Sequence, residues 1–257
     1  LKQFRIIAFS LLFGLGLFTS QVNGQFTLVP NLPKYDLAPY HFGFSLAINQ
    51  MFFSIDPMEN YQSKLWGPAY IPDFFADSAY ILGIEGRYTY GFTIGIISNL
   101  RIGKYLDLRF LPDLSFGERE LYYTIKKYWK NGEEIFVKEK KIYSTYVDFP
   151  LRIKYKSKRL HNMRAYLIGG ARYSIDLASE AKKNQDELDD KHIKLKKNDV
   201  SIDGGVGFDF YTTYFKFGIE LTMSYSPLDA LINEDNLYTN SIERLSSKIF
   251  TFSFTFE

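Results

Sequence analysis

The sequence predicts an all-β protein: an eight-stranded antiparallel transmembrane β-barrel preceded by a cleaved signal peptide. Three observations predict it. Eight segments alternate aromatic or aliphatic residues with small or polar ones at a period of two, which puts each set on one face of a strand. The connections between them run long, short, long, short, long, short, long, the asymmetry of a barrel threaded through an outer membrane with its short turns on the periplasmic side. The polar face mixes Gly, Ser and Thr with isolated charges of both signs, which suits a narrow interior better than the outside of a water-soluble barrel.

Composition agrees. A chain of 257 residues, 46% hydrophobic and 18% aromatic, fits one barrel, and its 24 Phe and 20 Tyr favour strands. A net charge of +2 leaves no basic footprint for nucleic acid. With no cysteine there is neither a disulfide framework nor a thiolate metal site. Lys2 and Arg5 precede the apolar run Ile6 to Phe18, shorter than the about 20 residues a membrane helix needs. Val22 and Gly24 then set a cleavage before Gln25, so residues 1–24 read as a signal peptide.

Residues 25–39 carry Pro30, Pro33 and Pro39 and are expected to be an extended periplasmic lead-in. The barrel, residues 40–257 with four long external loops, starts at once. Its first stave sets Tyr40, Phe42, Phe44, Leu46 and Ile48 against His41, Gly43, Ser45, Ala47 and Asn49. After a Pro-rich loop the second runs from Tyr80 to Leu100, longer than a bilayer requires, so its first half should project into water. The third carries Leu106, Leu108, Phe110, Leu114 and Phe116, then continues through Tyr123 and Trp129 to Asn131-Gly132, a type I′ hairpin signal. The fourth returns through a charged segment to Tyr143, Val147, Phe149, Leu151, Ile153 and Tyr155. Pro112 and Pro150 fall inside staves three and four and are expected to sit in bulges. Ala165 to Ile175 makes the fifth stave, Val200 to Phe210 the sixth, Phe215 to Tyr225 the seventh, and Phe250, Phe252, Phe254 and Phe256 line one face of the last. Between staves five and six, residues 179–198 are nearly all charged or amide, a solvated loop by composition.

Eight strands enclose room for side chains and no aqueous pore. The inward charges Arg109, Asp113, Asp148, Arg152, Arg172, Asp203 and Glu220 are therefore expected to pair across the lumen. Asp113 and Asp148 are the nearest acids to Arg152 in sequence. His41, His161 and His192 stand apart from any fixed acid and nucleophile, so no catalytic residue is expected. Asp186, Glu187, Asp189 and Asp190 lack EF-hand spacing. Gly204-Gly205-Val206-Gly207 lacks the Lys and helix of a phosphate loop. No cofactor, metal or small-molecule substrate follows. Tyr123 is expected in the interfacial aromatic girdle, with Tyr128 and Trp129 further out on the hairpin as possible partner anchors.

Asn31-Leu32-Pro33-Lys34-Tyr35-Asp36, followed by Pro39-Tyr40-His41-Phe42-Gly43-Phe44, resembles the start of mature PorT proteins, small outer-membrane barrels of the type IX secretion system. Asn99-Leu100-Arg101, Phe110 to Gly117, and Phe149-Pro150-Leu151 leading through Lys154 to Ser157 to Gly169-Gly170 are similar to it as well. The resemblance implies an outer-membrane location and a part in protein export, with gliding motility in bacteria that glide. It brings no catalytic residue. The expected partners are outer-membrane lipid and other type IX secretion components, held by Asn31, Leu32, Pro33, Lys34, Tyr35 and Asp36 or by Tyr128 and Trp129. Both termini are expected in the periplasm. The alternative is a structural or adhesive barrel with no secretion role.

Overall fold

The structure, a computed structural model, describes residues 30–71, 76–179 and 193–257. The expected signal peptide, the lead-in before Pro30, and the charged stretch with His192 and Asp186 to Asp190 lie outside the described residues. The strands are β1 (Tyr40–Pro57), β2 (Ser78–Arg101), β3 (Leu106–Phe110), β4 (Asp113–Trp129), β5 (Gly132–Lys156), β6 (Met163–Asp176), β7 (Lys194–Leu195), β8 (Asn198–Tyr211), β9 (Lys216–Tyr225), β10 (Leu231–Ile232) and β11 (Ile242–Phe256). β7 and β10 pair with each other. The rest, with β3 and β4 in line as one stave, are antiparallel neighbours in a ring that closes because β1 pairs with both β2 and β11.

The register measures the barrel. Stepping between partners from Phe42 through Ser98, Phe110, Leu151, Ala171, Ile202, Tyr225 and Lys248 returns to β1 at Phe52, ten residues beyond the start. Eight staves with that stagger must tilt by roughly 40°. A ring strand of 10 residues such as β9, at about 3.3 Å per residue and with that tilt, then gives a wall of roughly 25 Å, the height of a lipid-facing band.

That wall is apolar outward: Phe42 is 70% exposed, Tyr90 74% and Ile202 63%. Tyr40 and Tyr155 lie toward the short-turn rim, and Tyr88, Tyr143 and Tyr225 toward the long-loop rim, as two aromatic girdles. Leu151→Arg on this face should cost about 2–4 kcal/mol of folding free energy in lipid vesicles, whereas Leu151→Phe should be nearly silent. Equal tolerance of both changes would contradict the facing.

Inward positions are small or polar, and small residues make room for large ones. A Cβ on Gly207 would meet the Tyr166 ring at 2.4 Å, so the missing side chain on β8 admits that ring to the lumen.

Two expectations about backbone irregularity are corrected. The prolines are not in bulges. Phe110 faces Leu151 and Asp113 faces Asp148, three residues on along each strand, so the ladder crosses Leu111-Pro112 and Phe149-Pro150 without slipping. Leu111 N–H still donates to Pro150 O at 3.2 Å and Ile96 N–H to Pro112 O at 3.0 Å, so each proline costs one bond and no register. The register shifts instead in β2, between Ile81 and Gly83 and between Tyr88 and Phe92. The hairpin loop is likewise Lys130-Asn131, because Gly132 pairs with Trp129. None of its residues has positive φ, so it is not a type I′ turn. The Trp129 indole packs where a Cβ on Gly132 would sit, at 3.4 Å.

β2, β4 and β5 continue beyond the ring at the long-loop end. β1 leaves β2 at Thr89, and β6 meets β5 only from Tyr146. The inner face of this extension is largely apolar, with Lys140 of β5 buried over the Tyr238 ring at 4.7 Å. Ile81, Leu121, Tyr123 and Ile125 pack with Trp66, Leu237, Tyr238, Ile242 and Leu245, and with Leu195 of β7 and Leu231 of β10. Along β4 the apolar set moves from the outward positions Leu114 and Phe116 to the inward positions Leu121, Tyr123 and Ile125 without any change of register with β5. A strand leaving lipid for water must reverse its polarity in this way.

Candidate functional site

The lumen is filled by ion pairs in two groups. Toward the short-turn end, fully buried Arg109 bridges Glu220 and Glu257, the latter at 2.6 Å. Lys216 also reaches Glu257, at 2.9 Å. Lys154 bonds both oxygens of Asp209 at 2.9 and 2.8 Å and lies 3.5 Å over the Tyr166 ring, whose hydroxyl donates to Glu220 at 2.7 Å. Lys156 holds Asp107 at 2.5 Å.

Nearer mid-wall, Arg152 Nε donates to Asp203 at 2.7 Å. Arg172 spans Asp203 at 3.3 Å and Asp148 at 3.4 Å. Asp113 sits opposite Asp148 in the ladder and accepts from Ser115 at 3.1 Å. Arg152 thus takes its acid from β8, two staves away, and not Asp113 or Asp148. Its long side chain leans across β6, where Gly170 opposite leaves the path clear. A cavity of about 20 Å³ lined by Asp113, Arg152, Arg172 and Glu220 leaves room for about one water.

Each mouth is closed by a different device. At the short-turn end the lead-in is folded, not merely extended: Tyr35–Leu37 is a 3₁₀ turn. Asn31 N–H donates to Asn162 Oδ1 at 2.9 Å, its side-chain amide donates to Tyr211 O at 3.0 Å, and Arg159 donates to its carbonyl. Tyr35 stacks on His41 with ring centres 3.8 Å apart and donates to Glu257 at 3.4 Å. Asp36 takes a two-point bond from Arg164, 2.9 Å at each oxygen, and a third from the Tyr211 hydroxyl at 3.0 Å. Leu32 is half-buried, while Pro33, Lys34 and Leu37 are exposed.

Burial alone would push the Asp36 carboxyl up, but the Arg164 and Tyr211 bonds outweigh it and hold it below its ordinary value. The clasp therefore has its full stability above about pH 4, the unfolded carboxyl value, and loses it as pH falls through the lower folded value. Hydrogen-exchange protection at Tyr35 to Ala38, taken against the free-chain rate at each pH, should fall below about pH 4, and Asp36→Asn should remove that change. A flat profile in the unmodified protein would contradict the clasp.

At the long-loop end the seal is the apolar plug, with Arg119 at its inner boundary. That guanidinium donates to the Tyr146 hydroxyl at 2.9 Å and to Ser247 at 3.0 Å, and lies 4.7 Å over the Phe53 ring. Tyr123 belongs to this plug and not to the girdle. It is fully buried, edge-on to Tyr238 at 4.9 Å, with its hydroxyl donating to Tyr238 O at 3.3 Å. Its odd-numbered position shares the inward face of Leu121 and Ile125, the signal that identifies it. Tyr128 packs edge-on to Tyr80 at 5.9 Å, and Trp129 is 39% exposed at the tip. The lumen partners Asp107, Lys154, Lys156, Asp209 and Lys216, missing from the expected set, lie on the inward face that already carried Arg109 and Arg152.

A family model described as outer membrane protein beta-barrel domain matches residues 20–233, most of the chain. The chain belongs to this family. Membership of the outer-membrane barrel-domain family places the protein in the outer membrane and makes the exposed apolar wall its lipid contact. Two outer-membrane proteins of known crystal structure share 85% of this chain in superposition. OprG from Pseudomonas aeruginosa aligns at 9% identity over 93% of its own length, and Neisserial surface protein A at 12% over 98%, each with a TM-score of 0.39. No curated protein matches the sequence.

Proposed function

We propose that this outer-membrane barrel is a non-enzymatic accessory component of protein export through the type IX secretion system, with gliding motility where the cell glides. It binds other secretion components through surfaces outside the lipid wall. The observation that carries the reading is the clasp. The PorT-like stretch Asn31 to Asp36 holds the barrel through Asn31, Tyr35 and Asp36 and presents Pro33, Lys34 and Leu37 to solvent. Leu160 in the neighbouring short turn, 66% exposed, adds apolar area for a partner at the same end. A lumen packed with ion pairs supports work at a surface over conduction. Support for a non-enzymatic role comes from His41, whose ring is stacked on Tyr35, and from His161, which sits in a turn at φ 54°.

The long-loop end faces the outside of the cell in this reading and both termini lie in the periplasm. An impermeant thiol reagent on intact cells should label Asn131→Cys and spare Lys158→Cys, and the reverse pattern would invert the topology.

A structural or adhesive role is the second reading, favoured by Trp129, Ile135 and Val137, the last two 59% and 60% exposed on the outward face of the extension. The deciding experiment keeps the clasp and changes what it presents. Lys34→Glu with Leu37→Asp should stop export of type IX cargo while the barrel still assembles, and Ile135→Ser with Val137→Ser should not. Loss of export only in the second strain would move the partner surface to the extension. Normal export in a clean gene deletion would remove the secretion assignment.

A further inference from the structure

We propose that the outward faces of β1, β9 and β11, at the long-loop edge of the lipid wall, form a binding site for the phosphate of a membrane lipid headgroup, built from Lys248, Arg244, Ser54 and Tyr225. Lys248 lies in register between Phe52 on β1 and Tyr225 on β9, one outward position beyond Phe250. Its Nζ donates to Ser54 Oγ at 3.2 Å and sits 5.6 Å over the Tyr225 ring. Arg244 is four residues further from mid-wall on the same face of β11. It donates to the Tyr225 hydroxyl at 3.3 Å and, through Nε, to Ser246 at 3.2 Å. Two cations are thus fixed to one tyrosine at the height of the aromatic girdle.

Their carboxylate partners are sparse. Among the described residues no carboxylate lies within ion-pair distance of Lys248, and the one beside Arg244, Asp56, is 3.9 Å away with its side chain 59% exposed. Lys141, on β5 beyond its last pairing with β6, differs: Glu118, Glu120 and Glu139 stand 3.3 to 3.7 Å from its amine.

Position selects the occupant. Immediately toward mid-wall the same three strands present Phe250, Phe252, Ile48 and Leu221, exposed apolar side chains that acyl chains cover in the membrane. A molecule resting on that surface with its polar end at Lys248 must be a lipid. Paired ammonium and guanidinium donors suit a phosphate, which accepts charge-assisted bonds from both. The girdle tyrosine then has a second task, since its hydroxyl and ring orient the two cations.

The test uses the full barrel refolded in detergent micelles, with dimyristoylphosphatidic acid as probe and native mass spectrometry as readout. The barrel should retain this lipid and not dimyristoylglycerol, which has the same chains without phosphate. Lys248→Gln and Arg244→Gln should each weaken retention by about fivefold, the effect of one basic residue at an anionic surface. Lys141→Gln should leave it unchanged. Both test residues point away from the lumen, and heat-modifiable gel mobility confirms that each variant is folded. Equal retention of dimyristoylglycerol, no loss in either variant, or an equal loss in Lys141→Gln would overturn the proposal. Displacement of the lipid by inorganic phosphate would overturn it too, by making the site one for the free anion.

Discussion

Arg109→Met should destabilise the barrel by about 3–5 kcal/mol, measured as urea unfolding in lipid vesicles. The guanidinium is fully buried and holds two carboxylates, Glu220 and Glu257. Lys216 still reaches Glu257 in the variant. Glu220 keeps the Tyr166 hydroxyl but no cation within ion-pair distance among the described residues. The cost is therefore that of a buried charge left uncompensated, Glu220 being 1% exposed, and it exceeds the net worth of the pair itself. Neutralising the stranded acid should recover most of it, so Arg109→Met with Glu220→Gln should be clearly more stable than Arg109→Met alone. If the two changes simply add, the pairing is wrong.

Tyr123→Ala should cost a similar amount, about 3–5 kcal/mol, but in a different place. The ring is fully buried in the long-loop plug and makes an edge-to-face contact with Tyr238. The loss should appear as faster hydrogen exchange across the extension of β2, β4 and β5, while the lipid-facing wall keeps its heat-modifiable mobility. Tyr123→Phe, which gives up only the long hydroxyl bond to Tyr238 O, should cost about 1 kcal/mol. A defect in membrane assembly with no change in exchange at the extension would return Tyr123 to the girdle.

The wall of this barrel was legible in the sequence because lipid imposes a uniform rule. Every outward residue must be apolar, so Phe42 to Ile48, Leu151 to Tyr155 and Phe250 to Phe256 each announce their facing, and the eight-strand ring follows from counting them. The plug was harder to see because the same alternation reverses there. Leu121, Tyr123 and Ile125 continue the period of Leu114 and Phe116 shifted by one, and a reading that tracks only period takes the strand as more of the same wall. The shift between Phe116 and Leu121, with Glu118 and Glu120 turned outward, is itself the mark of the bilayer boundary.

The lumen charges were legible as a set and not as pairs. Strand parity puts Arg152 and Asp203 inside, but only the ladder register, which sets both opposite Gly170, and the absence of a side chain there bring them together. Sequence proximity pointed to Asp113 and Asp148 because it ignores that geometry. The clasp was missed for a related reason. Proline content argues for an extended chain, whereas the Asp36 contacts with Arg164 and Tyr211 span 128 and 175 residues of sequence, beyond any local pattern.

The central claim is a sealed barrel that works through its surfaces, and ion conductance across a planar bilayer tests it most directly. The purified barrel, inserted and verified as folded, should leave the bilayer current at its protein-free level, because ion pairs fill the lumen between a clasp at one mouth and an apolar plug at the other. Steady, reproducible channel openings from the unmodified protein would contradict it.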